Sequence, residues 1–192
     1  VAAVQMVSGG DVAANLAQAG SLVAAAARGG ASLVLLPEYF GILGAHASDK
    51  VRLAERDGDG PQQAFLSRTA REHGIVLVGG SVPIACDDPA RVRSACLAYG
   101  ADGARLARYD KIHLFDVHVV DSGEQYTESQ TTEPGNEPVV VETPLGRIGL
   151  AVCYDLRFPE LFRRLLDDSM EIMVVPSAFT ATPPLITRCA AM

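Results

Sequence analysis

The sequence predicts a layered α/β or α+β domain, and three features of its hydrophobic pattern support this fold class. Short, continuous apolar runs, such as residues 32–36, have the composition of strands that are buried on both faces. Segments with apolar residues at helical spacing alternate with these runs in the first part of the chain. Farther along, strands follow one another across short turns, as in hairpins. Together these features indicate a mixed sheet covered by helices.

The chain begins with a predicted β-α-β unit. Residues 1–6 have the pattern of a short buried strand, and Asp11 is placed to cap a helix with apolar residues on one face. Gly29 and Gly30 are expected to end this helix. Residues 32–36 form the second strand of the unit, which Pro37 stops.

The middle and the end of the chain continue in the same way. Pro61 suits the first turn of a helix that runs to about residue 73, with Gly74 as its cap. Pro159 begins a second such helix, which runs to about residue 166. Residues 111–138 have no clear periodicity, and we expect a functional loop there. Further strands are predicted at residues 75–82, 92–99, 105–110, 138–143, 147–152 and 171–175.

Composition and charge exclude several classes of function. The 192 residues carry 16 Lys and Arg against 23 Asp and Glu, and the net charge of −7 does not suit a nucleic-acid-binding surface. A hydrophobic fraction of 48% is enough for one globular domain over residues 1–192. No apolar stretch is long enough to cross a membrane, and no basic leader precedes the first strand. We therefore expect no membrane partner and a cytoplasmic location.

The four cysteines lie far apart in the sequence, which favours free thiols over a disulfide framework. Cys153 follows an apolar strand and precedes a predicted helix. Such a corner can present a nucleophile and leave the next backbone N–H, that of Tyr154, free to stabilise an oxyanion. The alternative is that Cys153 is a small buried hydrophobic residue, as most free cysteines are.

A thiol nucleophile needs a base or a cation nearby, and the sequence offers several candidates. His113 could pair with Cys153, or it could bind a metal together with His118. Glu38 and Lys111 each follow a predicted strand, and strand ends of one direction meet at one crevice. A partly buried carboxylate there could accept a proton, and an ammonium could stabilise a tetrahedral intermediate. Alternatively, both are ordinary surface charges.

Three segments together resemble the nitrilase superfamily of carbon–nitrogen hydrolases. They are Leu-Leu-Pro-Glu at residues 35–38, Tyr-Asp-Lys-Ile-His-Leu-Phe-Asp at 109–116, and Cys-Tyr-Asp-Leu-Arg-Phe-Pro-Glu-Leu at 153–161. The resemblance extends from residue 1 to about residue 179. It implies a four-layer α-β-β-α sandwich, and within the superfamily these segments look most like the Nit subgroup of amidases.

The resemblance also implies roles for individual residues. Glu38 matches the general base, Lys111 the residue that stabilises tetrahedral intermediates, and Cys153 the nucleophile that forms a thioester. Glu128 matches a second glutamate that orients the lysine and the substrate. Arg157 could bind an acidic substrate, or it could be a structural partner of Asp155. The resemblance makes His113 a neighbour of the lysine rather than the base.

The Nit subgroup hydrolyses small carboxylate-bearing amides, including deaminated glutathione and ω-amides of α-keto acids. The resemblance therefore implies ammonia release from such an amide, with no cofactor and no metal, by a homodimer or higher homo-oligomer. Family members continue beyond the matching segment, so residues 1–192 are expected to lack the family's C-terminal part. The alternative is an inactive remnant that at most binds a ligand or a partner subunit.

Overall fold

The computed structural model describes residues 1–119 and 124–179 and confirms the predicted α/β class. Its first sheet has five strands in sequence order, and β4 is antiparallel to both of its neighbours. Strands β1, β2 and β3 are parallel to one another. It follows that β2, β3 and β5 run in one direction and end at the same edge. The strands are β1 (Ala2–Ala3), β2 (Leu33–Leu35), β3 (Val76–Ala85), β4 (Val92–Tyr99) and β5 (Arg105–Asp110).

A second sheet of three strands has the order β10-β9-β8. In it, β10 is parallel to β9, whereas β8 is antiparallel to β9. A separate antiparallel hairpin, formed by β6 and β7, precedes this sheet in the sequence. These strands are β6 (Asp116–Val119), β7 (Glu124–Thr127), β8 (Val139–Thr143), β9 (Gly146–Leu150) and β10 (Ile172–Val174).

Helices begin and end where local sequence signals place them. The Asp11 carboxylate accepts a hydrogen bond of 3.2 Å from the Ala14 N–H at the start of α1. Gly74 ends α3 in the left-handed conformation, with φ of 63°, which glycine adopts without steric cost. The helices are α1 (Val12–Arg28), α2 (Asp49–Arg52), α3 (Pro61–His73) and α4 (Pro159–Asp167).

Two hydrophobic clusters arrange these elements in four layers. One cluster lies between helices α1 and α3 and one face of the first sheet. The other joins the opposite face of that sheet to the second sheet and to α4. Leu165 of α4 faces Gly149 of β9, where a Cβ would come within 3.4 Å of the leucine side chain. The order is therefore helices, sheet, sheet, helix, as the family resemblance implies.

The structure departs from the sequence prediction at three places. The expectation of an irregular loop over residues 111–138 is wrong in part, because the β6–β7 hairpin lies within it. Its strands have only four residues each. Asp-Val-His-Val of β6 does alternate, but over too few residues to stand out, and Glu-Gln-Tyr-Thr of β7 is mostly polar. The sequence did not predict the short helix α2. The strand expected over residues 1–6 is only Ala2–Ala3, although the Val4 N–H beyond it still donates to the Leu35 carbonyl at 2.9 Å.

In the described part of the chain, Cys86, Cys96 and Cys153 are free thiols, and Cys189 lies outside the described residues. None of the helices in the same part is long and apolar enough to cross a membrane.

Candidate active site

The ends of two strands in the first sheet bring Glu38 and Lys111 together. Glu38 follows β2 after Leu36 and Pro37, and Lys111 comes directly after β5. Because β2 and β5 run in the same direction, both side chains arise at one edge of the sheet. The Lys111 Nζ lies 2.9 Å from Glu38 Oε1, and the two residues are only 2% and 4% exposed. The structure thus forms a buried ion pair from two side chains that sequence reasoning placed at strand ends.

Glu128 completes this charged cluster. It begins a 3-10 turn, Glu128–Gln130, directly after β7, and its Oε2 lies 2.9 Å from the Lys111 Nζ. The same oxygen accepts a hydrogen bond of 2.7 Å from the Phe115 N–H. The Tyr39 hydroxyl donates to the other oxygen at 3.2 Å. The Lys111 ammonium is therefore held between two carboxylates, and the Glu128 carboxylate is fixed by two further donors.

Burial and mutual charge shift the titration of this cluster. Burial raises the pKa of Glu38 because the ionised form loses its hydration, and the charge of Lys111 only partly offsets this. For Lys111, burial alone would lower the pKa, but the adjacent carboxylates of Glu38 and Glu128 raise it above its ordinary value. Lys111 is thus an ammonium at neutral pH, and Glu38 is a stronger proton acceptor than an exposed glutamate.

Cys153 lies at a sharp turn after β9. It is the first residue of a second 3-10 turn, Cys153–Arg157, and its φ of 47° is in the left-handed region, where residues with a side chain are uncommon. Its N–H donates to the Pro176 carbonyl at 3.0 Å, which ties the turn to the segment after β10. Strained corners of this kind expose a nucleophile at the end of a sheet.

The thiol of Cys153 lies close enough to the Glu38 carboxylate for each group to shift the pKa of the other. Burial raises the pKa of Cys153 to about 12, and the negative charge of Glu38 contributes in the same direction. The thiol is therefore protonated at neutral pH, and it needs a base to become a thiolate. Glu38 lies close to it and can serve as that base.

Two backbone N–H groups lie beside the thiol. The N–H of Tyr154 has no hydrogen-bond acceptor among residues 1–119 and 124–179, so it can donate to a ligand. The N–H of Ala178 donates to Glu38 Oε2 at 2.9 Å and also lies against the sulfur of Cys153. Sequence reasoning missed Ala178 because a backbone donor has no signature in residue type.

His113 does not pair with the thiol. Its Nδ1 lies 2.7 Å from Asp155 Oδ1, and its ring stacks on Phe158 with 3.7 Å between ring centres. A Cys–His pair is therefore not what the structure forms. In the described part of the chain, no three His, Cys, Asp or Glu side chains form a group that could hold a metal ion, so the His113–His118 site is not formed there either.

Asp155 is a second buried carboxylate, which sequence reasoning named only as a possible partner of Arg157. It is fully buried two residues after the nucleophile candidate, and it accepts hydrogen bonds from the Tyr109 hydroxyl at 2.7 Å and from the Val152 N–H at 2.8 Å. The His113 N–H donates to it at 3.0 Å. These bonds fasten the turn that carries Cys153 to the end of β5. Arg157 ends the same turn, and its contact with a substrate stays a prediction.

Several known proteins are similar to this chain in sequence and in fold. The family described as "Carbon-nitrogen hydrolase" matches residues 1–188. The chain is 41% identical over 181 residues to a deaminated glutathione amidase from Yersinia enterocolitica, covering 94% of this chain and 63% of that protein. It is 38% identical over 168 residues to the omega-amidase NIT2 from Danio rerio, covering 88% of this chain and 59% of that protein.

A solved structure of a related protein has a similar fold. The C. elegans NitFhit protein superimposes with a TM-score of 0.84 at 32% identity, covering 98% of this chain and 45% of that chain. The chain spans less than two thirds of the length of the Yersinia and Danio relatives, at 63% and 59%.

Proposed function

The chain belongs to the carbon–nitrogen hydrolase family, and we propose that it hydrolyses the carbon–nitrogen bond of a small carboxylate-bearing amide and releases ammonia. The observation that carries this proposal is the buried ion pair of Glu38 and Lys111, 2.9 Å apart, close to the Cys153 thiol. Nucleophile, base and cation are thus assembled within one buried cluster.

The first half of the reaction forms a thioester. Glu38 accepts the proton of the Cys153 thiol, and the sulfur forms a bond to the amide carbon. The Lys111 ammonium and the Tyr154 N–H stabilise the negative charge that develops on the carbonyl oxygen. When this intermediate collapses, the carbon–nitrogen bond breaks and the leaving nitrogen takes the proton from Glu38, which gives ammonia.

The second half returns the enzyme to its starting state. Glu38, now a carboxylate again, accepts a proton from a water molecule as the water oxygen attacks the thioester carbon. The carbon–sulfur bond breaks, the product leaves as a carboxylic acid, and the sulfur recovers its proton. Glu128 keeps the Lys111 ammonium in place through both halves, because it holds Lys111 from the side opposite Glu38.

A panel of small amides with an ammonia assay tests the proposal. The panel contains deaminated glutathione and α-ketoglutaramate, since the relatives are named deaminated glutathione amidase and omega-amidase. We expect ammonia release from at least one of them and loss of that release in Cys153→Ala. Absence of release from the whole panel by a folded chain would overturn the proposal and favour a non-catalytic binding role.

We further propose that the protein acts as a homodimer or higher homo-oligomer in the cytoplasm. The resemblance to the Nit subgroup supports this assembly, and the net charge of −7 does not suit a protein bound to nucleic acid. Light scattering of the purified protein tests the oligomeric state, and a monomer would contradict it. Fractionation of cells tests the cytoplasmic location, and recovery of the protein with membranes would contradict it.

A further inference from the structure

Lys50 is a second lysine at the same site, and nothing in the mechanism above uses it. The sequence contains only two lysines among its 16 basic residues, Lys50 and Lys111, so every other basic position is arginine. Both lysines lie near the Glu128 carboxylate. The contacts of Lys50 therefore bear on what this site binds.

Two elements hold Lys50 at the edge of the charged cluster. Its Nζ donates a hydrogen bond of 2.7 Å to the hydroxyl of Thr132, which is fully buried just after the turn that begins at Glu128. The same nitrogen lies 6.0 Å from the centre of the Tyr39 ring. Because the Tyr39 hydroxyl bonds Glu128, a continuous set of contacts connects Lys50 with the carboxylates around Lys111.

The neighbouring Asp49 fixes the direction of Lys50. Asp49 is buried at the start of α2, where it accepts a hydrogen bond of 3.0 Å from the His46 N–H and forms an ion pair of 3.0 Å with Arg52. Gly44 packs so closely on this aspartate that a Cβ would lie 2.4 Å from it. The short helix is thus anchored by Asp49, and Lys50 extends toward the site while Arg52 stays in solvent.

The Lys50 ammonium has no carboxylate within ion-pair distance among the described residues, although burial lowers its pKa by disfavouring the charged form. Buried charges in proteins are generally paired. The cluster of Glu38, Glu128 and Lys111 also leaves one negative charge uncompensated, which would repel an anionic substrate. A positive charge at Lys50 offsets that repulsion, and an incoming anion can supply the charged partner that Lys50 lacks among the described residues.

We propose that Lys50 binds the carboxylate of the substrate and thereby selects anionic amides over neutral amides of the same size. This rests on the proposed function and assigns to Lys50 the role that the sequence suggested for Arg157. Lys50 is a specificity-determining residue, since it takes no part in bond making or breaking.

A matched pair of substrates tests this proposal. Succinamate carries an amide and a carboxylate, and butanamide has the same chain length without the charge. In Lys50→Met we expect KM for succinamate to rise about 10- to 100-fold, as for loss of one charge-assisted hydrogen bond, while kcat/KM for butanamide changes less than about twofold. Lys50→Arg keeps the charge and should retain most of the preference.

The control is Arg68→Met, which removes a positive charge from α3 at a side chain that is 61% exposed. It should leave the kinetics of both substrates unchanged. Equal losses for succinamate and butanamide in Lys50→Met would overturn the proposal, because they would show that Lys50 acts only through Glu128. A lost preference in Arg157→Met with no change in Lys50→Met would overturn it in favour of Arg157.

Binding measurements separate this proposal from the proposed reaction. In the Cys153→Ala background, calorimetry should show tighter binding of succinamate than of butanamide, and adding Lys50→Met should remove the difference. That result supports the role of Lys50 even if wild-type protein releases no ammonia. Equal binding of the two amides before the Lys50 change would overturn it.

Discussion

Two buried carboxylates near the turn that carries Cys153 have opposite surroundings. Glu38 is bonded to an ammonium and lies close to the thiol, and burial raises its pKa. Asp155 is buried at least as deeply, but hydroxyl, imidazole and backbone donors surround it at 2.7–3.0 Å. A carboxylate that accepts several fixed hydrogen bonds holds structure together, whereas one that shares a cation with a protonated thiol can exchange a proton.

The difference follows from what each carboxylate connects. Asp155 connects the 3-10 turn to the Tyr109 hydroxyl and the backbone around His113, so it sets where Cys153 lies relative to β5. Glu38 connects Cys153 with Lys111 and with the Ala178 N–H. We therefore expect changes at Glu38 to affect the reaction and changes at Asp155 to affect stability.

The largest effect is expected for Glu38→Gln. The amide cannot accept the thiol proton, so kcat should fall about 10²- to 10⁴-fold, which is the usual contribution of a general base. Steady-state ammonia release measures it, and thermal unfolding should show little change. Glu142→Gln, at a carboxylate 82% exposed on β8, is the matched control. Full activity in Glu38→Gln would refute the role of Glu38 and reopen a Cys–His mechanism.

Next in size is the expected loss of stability in Asp155→Ala. Removal of this carboxylate leaves the Tyr109 hydroxyl and the Val152 N–H buried without an acceptor, which should cost about 3 kcal/mol of unfolding free energy. Urea unfolding followed by circular dichroism measures the change. Asp167→Ala, at an exposed position that ends α4, should stay within about 0.5 kcal/mol of wild type. An unchanged stability in Asp155→Ala would remove the contrast with Glu38.

The pH dependence of kcat/KM should report the raised pKa of Glu38. Protonated Glu38 cannot accept the thiol proton, so activity should be present above its pKa and fall about tenfold per pH unit below it. Burial places the midpoint of this acid limb above 4.5, the ordinary value for a glutamate. The residual activity of Glu38→Gln should lack the limb. A midpoint below 4.5 would show that the charge of Lys111 outweighs burial.

The smallest effect is expected for Tyr39→Phe. This change removes the hydroxyl that donates to Glu128 Oε1 at 3.2 Å, while the Phe115 N–H still holds the other oxygen. Loss of one hydrogen bond to a residue that positions Lys111 should lower kcat about two- to tenfold. Tyr99→Phe on β4, in the hydrophobic cluster against α1 and α3, is the comparison and should not change kcat. A drop as large as that of Glu38→Gln would assign Tyr39 a direct part in the reaction.

Much of the fold could be predicted because local signals agreed with tertiary packing. The Pro61 and Gly74 boundaries of α3 match the structure, since proline and glycine fix the backbone wherever the helix packs. The β6–β7 hairpin and α2 could not be found in this way. Each of these elements has only four residues and few apolar side chains, which is too short for a hydrophobic period to mark it.

The sequence by itself determined which side chains follow the strands: Glu38 after β2, Lys111 after β5 and Cys153 after β9. Which residue follows a strand is a local property, so the sequence alone could assign these three side chains to strand ends. Only the tertiary structure decided that the Lys111 ammonium lies between two carboxylates. It also decided that His113 bonds Asp155 rather than the thiol, and that Lys50 bonds Thr132 just after the turn that begins at Glu128. Those contacts join residues distant in sequence through buried hydrogen bonds, which no periodicity or residue type encodes.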